Sequence, residues 1–401
     1  MMGSKLIALI VIVLGVVAIA QLVRLYELSS KLRKEGEHET NSRDNRLNAR
    51  LFLVFMGFLY IGFIYLMYKF GWTGRGEAAS VHGKETDWLL NVNFILIIVV
   101  FFLTNTLLFS FASKYIRKPG VKAFYFPHDN KLEMIWTVIP AATLAVIIIL
   151  GLRSWNKITD VADNDSIVVE LFSKQFDWTA RYSGEDNLLG KFDYKLTSDD
   201  NELALVTTNT LDSAIHRMEH GISGINSLES KLNDRNIVMS NDDRDKFSTD
   251  LERKSRLIRL LQQMRGHHDS KIDALAWDDI IQKDTLFLCV NKEYEFNFRS
   301  KDVIHSAYFP HFRSQMNTVP GLTTRFKFTP DITTKEMRTK MNDDEFHFVL
   351  MCNKICGSAH YKMKMMVVVL DESSYNDWMK SKSQSTFRDS YFPASEKVAE
   401  N

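Results

Sequence analysis

Four uncharged apolar stretches govern what the first 152 residues can become: Leu6 to Val23, Leu51 to Tyr68, Leu89 to Ser113 and Met134 to Leu152. A bilayer core about 30 Å thick is spanned by about 17 to 25 apolar residues at the rise of an α-helix. Each stretch meets that length and is bracketed by charge, a pattern that helices in soluble cores rarely show. Four transmembrane helices follow. The first stretch also fits a cleaved signal peptide, because Lys5 precedes an apolar run ending in Ala18-Ile19-Ala20.

Lysine and arginine concentrate in cytoplasmic loops. Lys31, Arg33, Lys34, Arg43 and Arg46 lie between the first two stretches, and Arg117, Lys118 and Lys122 between the last two. The middle connection is sparser, with Lys69, Arg75 and Lys84. The two basic loops are therefore expected in the cytoplasm. The N-terminus and everything after Leu152 are expected outside, whether or not the first stretch is removed.

With 25% charged residues overall, the chain is too polar to be membrane-embedded throughout, so it must divide. A net charge of +1 offers no basic surplus for nucleic acid. Beyond Arg153 the apolar runs shorten to strand length: Ile167 to Phe172, Thr285 to Val290, Tyr294 to Phe298, Thr324 to Phe328, Glu345 to Met351 and Met365 to Leu370. Short strands without helices between them indicate a sandwich or barrel.

One region breaks that pattern. Leu211, Ile215, Met218, Ile222, Ile225 and Leu232 recur at helical spacing, and Phe247, Leu251, Ile258, Leu261 and Met264 repeat it after a polar turn at Asn241-Asp242-Asp243. An antiparallel helical hairpin inserted between strands is expected, either self-packed with solvated charged faces or serving as a docking surface. His267-His268-Asp269 at its end reads as an exposed turn, since no further metal ligand stands at useful spacing.

The chemistry concentrates in Met351-Cys352-Asn353-Lys354-Ile355-Cys356-Gly357-Ser358-Ala359-His360-Tyr361-Lys362-Met363. Soft sulfur donors beside imidazole select copper, and the thioether argues against zinc. A single-copper site needs only one cysteine, so the second gains a role if two thiolates bridge two copper ions, each with one histidine. His360 supplies one imidazole. His305, in Asp302-Val303-Ile304-His305-Ser306 at a strand end, competes with His311 and His347 for the other. A short-loop disulfide is the rival reading of the cysteine pair. Cys289, inside an apolar strand, is expected to be buried and unreactive.

The Cys-x3-Cys-x3-His-x2-Met pattern, preceded by Asp-Val-Ile-His-Ser, resembles subunit II of cytochrome c oxidase, a haem-copper oxidase component with a binuclear copper centre. A second motif agrees: Glu133 to Pro140 is similar to the Glu-x-x-Trp-Thr-x-x-Pro that opens the family's second membrane helix. The resemblance covers about Leu89 to Gly190 and about Ile272 to Met379. It implies a membrane-anchored α plus all-β chain, with transmembrane helices followed by a cupredoxin-like β-barrel or sandwich. It further implies that His305, Cys352, Cys356, His360, Met363 and the Lys354 backbone carbonyl hold two copper ions, with Asp302 beside them. Glu133 would sit at the cytoplasmic mouth of a proton channel shared with the catalytic subunit.

Three departures stand out. Lys354 replaces the family's usual glutamate, a magnesium ligand, and a cation cannot donate to magnesium, so that site would have to be rebuilt by other groups. Phe176 stands where the family commonly has the tryptophan at which electrons enter, which leaves Trp178 or another route. Two additional spans and the helical insertion extend the family's two-helix anchor.

The expected parts are an additional transmembrane pair with its basic loop (1–85), the hairpin of the subunit II type (86–155), the copper domain (156–200 and 267–380), the inserted hairpin (201–266) and a polar tail (381–401). By resemblance, the copper pair takes electrons from a c-type cytochrome and passes them to haem and a further copper in the partner subunit, where oxygen is reduced and protons are pumped. The setting is a bacterial inner membrane with the copper domain periplasmic. Partners would be the catalytic subunit, other oxidase subunits, the c-type cytochrome donor and members of a larger respiratory assembly. The alternatives are a copper-free quinol-oxidase subunit and a membrane-anchored copper-delivery protein. Nitrous oxide reductase shares the copper motif but lacks the membrane hairpin.

Overall fold

The computed structural model describes residues 2–32, 42–71, 75–184, 186–234, 236–382 and 385–392, with backbone alone at 2–10 and 30–32. The expected cytoplasmic residues Arg33 and Lys34, the Lys31 side chain, and the tail from 393 onward lie outside the described residues. The chain forms two compact units, Met1–Arg75 with Val92–Thr143, and Gly76–Asn91 with Leu144–Asn401.

Among the described residues, four helices are long and apolar enough to cross a membrane: α1 (Met2–Leu32), α2 (Ser42–Phe70), α3 (Val81–Lys114) and α4 (Asn130–Thr159). The first connection is shorter than the sequence suggests, because α1 continues past Arg24 and α2 begins before Arg43. In the first unit α2 and α3 meet through aromatic rings, with Phe63 stacked on Phe101 at 5.0 Å between centroids. The Tyr60 hydroxyl donates to the Phe102 carbonyl (3.0 Å) and lies 2.8 Å from the Thr106 hydroxyl. In a medium without water, such partners satisfy groups that would otherwise carry a desolvation cost. The apolar side chains of α1 from Val11 to Leu28 are exposed, a surface suited to lipid or to another protein.

The second unit is a two-sheet sandwich with a helical insertion. Its elements are β1 (Ile167–Lys174), β2 (Asp177–Tyr182), α5 (Thr208–His220), α6 (Ile225–Asn233), α7 (Asn241–His267), α8 (Ala274–Trp277), β3 (Ile280–Lys283), β4 (Thr285–Cys289) and β5 (Tyr294–Ser300). There follow β6 (His305–Phe309), β7 (Ser314–Thr318), β8 (Thr324–Phe328), α9 (Thr334–Met341), β9 (Phe348–Cys352), β10 (Lys364–Leu370), α10 (Glu372–Lys382) and α11 (Phe387–Tyr391). One sheet runs β3-β2-β1-β5-β8 and the other β4-β10-β9-β6-β7. The pairs β1–β5 and β4–β10 are parallel, joining strands distant in sequence.

Alternation along the strands builds the core. On β5, Tyr294, Phe296 and Phe298 are fully buried while Glu295 and Asn297 between them are not. Phe326 and Phe328 from β8 join them, as do Phe309, Phe348, Leu350 and Val367 from the facing sheet. Each such side chain stabilises the fold by about 1.5–3 kcal/mol through burial. Strand β1 departs from alternation and is buried on both faces. Its outward Glu170 meets Arg181 (2.7 Å) and Arg299 (2.6 Å), and Arg181 meets Asp279 (2.7 Å), all four of them buried. Phe172, Leu203, Leu205, Ala276 and Phe387 form a second apolar cluster on this side.

Among the described residues the insertion has three helices rather than two. The arm expected from Leu211 to Leu232 breaks at Gly221-Ile222-Ser223-Gly224, where the Gly224 amide bonds back to the Gly221 carbonyl at 2.7 Å. A Cβ on Gly224 would lie 2.7 Å from the Glu219 carbonyl oxygen, so this close turn requires glycine. Asn241-Asp242-Asp243 is not a turn but the first turn of α7. Ser240 caps it by accepting from the Asp243 amide, and the two aspartates suit the positive end of the helix dipole. Helices α5 and α7 share a small core of Leu211, Ala214 and Leu261 with Leu196 and Ala204.

Two further segments differ from the sequence reading. Gly76–Asn91, which straddles the expected boundary at 85/86, belongs to the sandwich unit: Ala79 lies in its core, and Arg313 pairs with Asp87 at 3.0 Å. Within the expected tail, α11 is ordered against the fold. The Phe387 amide donates to the Asp279 carbonyl (2.7 Å), and the Phe387 ring stacks on Trp277 at 5.3 Å.

Candidate metal centre

Strand pairing decides where the sulfur motif goes. Strands β9 and β10 are antiparallel with Met351 opposite Lys364, so residues 353–363 form the return loop at one end of the sheet. Strand β6 lies on the other side of β9 with Ala307 opposite Cys352, which brings His305 to the mouth of that loop. His305 opens its strand rather than ending one, and it is fully buried.

The six donors converge in two halves. Around Cys352, the His305 Nδ1 lies 3.8 Å from the sulfur and the Lys354 carbonyl oxygen 3.2 Å. Around Cys356, the His360 Nδ1 lies 3.5 Å from the sulfur and the Met363 Sδ 3.8 Å. The two sulfurs are 3.8 Å apart and unbonded, so the disulfide reading fails. Four-coordinate zinc would leave donors unused. Two thiols with an imidazole on each side, plus one thioether and one carbonyl, make a soft donor set of the kind that copper prefers.

The surroundings orient these donors. Asp302 Oδ1 accepts from His305 Nε2 at 2.8 Å, which fixes the proton on Nε2 and leaves the Nδ1 lone pair free toward Cys352. Burial opposes ionisation of Asp302, yet donors from His305, the Gln175 amide and the Val303 amide hold its carboxyl below the usual range. Burial, reinforced by the neighbouring Cys352, pushes the Cys356 thiol up to about 11. Metal uptake at neutral pH must therefore displace the Cys356 thiol proton.

The other candidates lie elsewhere. His311 packs edge-on against Phe346 and Phe348, with ring centroids 5.3 and 5.4 Å away, and His347 lies 3.2 Å from Arg338. Trp178 is fully buried, 6.3 Å from the His305 ring, so no soluble donor can touch it. Phe176 is partly exposed and its ring packs under Gly357. Glu133 is in the first turn of α4, half-exposed and 3.8 Å from His128. Cys289 is buried, and burial raises its thiol pKa. His268 closes on Asp273 rather than standing free. The residue that sequence reasoning missed is Gln175, whose amide nitrogen donates to the Cys356 carbonyl. Nothing local to Gln175 signals that contact.

The model of the cytochrome c oxidase subunit II transmembrane domain matches residues 72–155. The chain is similar to cytochrome c oxidase subunit II. An alternative cytochrome c oxidase subunit 2 of Bradyrhizobium diazoefficiens is 26% identical over 275 residues, which is 68% of this chain and 71% of that one. Cytochrome c oxidase subunit 2 of Corynebacterium glutamicum is 24% identical over 80% of this chain and 77% of that one. A solved periplasmic domain of oxidase subunit II from Bradyrhizobium japonicum covers 56% of this chain and 99% of its own, at 13% identity and a TM-score of 0.27. A likeness at that score decides nothing about this chain. These subunit II relatives are parts of an oxidoreductase complex, as their names state.

Proposed function

We propose that this subunit II relative holds a binuclear copper centre and passes electrons through it to the catalytic subunit of a haem-copper oxidase. The observation that carries the reading is the division of six donors into two matched halves about a free sulfur pair. His305, Cys352, Cys356, His360, Met363 and the Lys354 carbonyl would hold the metal. When bound, the copper pair would supply one-electron acceptance and donation.

The chain's own residues hold that site still. Strands β6, β9 and β10 fix the loop ends, Asp302 sets the His305 tautomer, and buried apolar neighbours keep water from the sulfurs. The donor would be a c-type cytochrome on the periplasmic side of a bacterial inner membrane, with haem and a further copper in the partner subunit. Because Trp178 has no exposed surface, it can serve only as a buried relay beside His305. Glu133 would serve proton uptake at the cytoplasmic face. The side chain of Lys354 is exposed and cationic, so magnesium would need ligands from other chains. The two additional helices and the insertion suit a larger respiratory assembly. Purification in mild detergent with no co-migrating cytochrome or quinol-oxidising complex would count against that part.

A copper-free quinol-oxidase subunit has no use for this donor set, and a delivery protein needs a labile single-ion site. Metal analysis and paramagnetic resonance of the purified full chain test the reading. Two coppers sharing one unpaired electron are expected; one labile Cu(I), or none, would overturn it.

A further inference from the structure

We infer that Gln175 is a positioning residue for the metal centre, bracing the His305 arm against the Cys356 arm. This rests on the copper reading above. Gln175 lies at the β1–β2 corner, far in sequence from every donor. Its backbone N–H donates to Asp302 Oδ2 at 2.7 Å, while Asp302 Oδ1 accepts from His305 Nε2 at 2.8 Å. Its side-chain amide donates to the Cys356 carbonyl oxygen. One residue thus joins, through two hydrogen bonds of its own, the loop carrying His305 and the loop carrying Cys356.

The corner is seated tightly. Ser173, two residues before it, lies with its hydroxyl 2.6 Å from the Thr318 hydroxyl, and its carbonyl accepts from the Lys301 amide at 2.9 Å. Strand β1 is therefore bound to the Asp302 loop and to β7 just before Gln175. On the other side the corner presses on Gly357. A Cβ there would lie 2.8 Å from Gln175 Nε2 and 2.9 Å from the Phe176 ring, so the copper loop and this corner are in contact with no space between them.

The consequence concerns the distance between the two halves of the site. His305 belongs to the Cys352 half and the Cys356 carbonyl to the other, and strand pairing fixes the first more firmly than the second. Residues 353–363 lie between β9 and β10, where Cys356 has no ladder partner. The bond from Gln175 supplies that missing constraint. Partners behind a ligand shell typically change metal affinity by about 10–100-fold when removed.

Gln175→Leu keeps the backbone N–H to Asp302 and removes only the side-chain donor. Gln175→Glu keeps the size and sets carboxylate oxygens against the Cys356 carbonyl. In the full chain loaded with copper, both variants are expected to bind two coppers but to release them to a chelator about 10-fold faster or more. The copper hyperfine pattern should also broaden or become unequal, more in the glutamate variant. Thermal unfolding of the copper-free protein reports whether the fold itself has suffered. Release rates and spectra equal to wild type in both variants would overturn the inference. A wild type that binds no copper pair would instead overturn the underlying reading, so the two failures are distinct.

Discussion

Cys352 and Cys356 hold their sulfurs 3.8 Å apart, unbonded, with His305 approaching one and His360 the other. Four residues of chain would allow a disulfide, and the loop geometry withholds it. Under the proposed copper reading each cysteine is individually necessary. Cys356→Ser should lower the metal content of the full chain from two coppers to one and abolish electron sharing. Elemental analysis with paramagnetic resonance measures both, and a variant that kept the shared-electron signal would contradict the bridging assignment.

Gly357 carries a φ of +143° directly beneath Phe176 and Gln175. Gly357→Ala should destabilise the copper domain by about 1–3 kcal/mol, from backbone strain together with displacement of the corner it touches. A lowered thermal midpoint and faster copper loss to a chelator are the expected readings.

Glu170 lies fully buried between Arg181 and Arg299. Burial alone would raise its pKa, but the two guanidiniums outweigh that and bring it from 4.5 to about 2. A carboxyl depressed in the folded state contributes stability that is complete above pH 4.5 and is lost as the pH falls toward 2. Glu170→Gln leaves two buried cations short of a counter-charge and should cost about 3–5 kcal/mol at neutral pH. Denaturant titrations across pH should also show a shallower loss of stability below pH 4.5 in the variant than in wild type.

Leu261 is fully buried where α7 meets α5. Leu261→Ala should destabilise the insertion by about 2–5 kcal/mol. Copper content and spectrum should stay at wild-type values, because the insertion has its own small core. Hydrogen exchange localised to α5 and α7 would show the loss, and a changed copper spectrum would mean that the insertion is coupled to the metal site.

Local pattern fixed the broad plan. The four spans are legible because a bilayer demands long uncharged runs, and a run is visible in one dimension. Much of the donor set is legible for a similar reason: Cys352, Lys354, Cys356, His360 and Met363 lie on one loop, so their spacing constrains their geometry. Among the described residues, strands β1, β4, β5, β8, β9 and β10 are readable from alternation or apolar runs, but β2, β3, β6 and β7 are not. These four mix polar and apolar residues over four to six positions, and neighbouring strands offer them hydrogen bonds. The break in the first insertion arm was also missed, since helical spacing continues across Gly221 and Gly224 while the backbone does not.

Tertiary structure decided the rest. His305 rather than His311 or His347 faces the sulfurs because β6 pairs with β9 in one register, and the Ala307–Cys352 alignment that places it has no local signal. Gln175 reaches the Cys356 carbonyl across 181 residues of sequence, and Glu170 finds Arg299 across 129. Such contacts depend on sheet order and on which faces are covered, which no short window of sequence contains. The sequence by itself determined what kind of donors this chain carries and that it is anchored by apolar helices. Only the folded sheets determined which donors meet and how firmly each is held, because hydrogen-bonded strand pairing, not spacing along the chain, sets those distances.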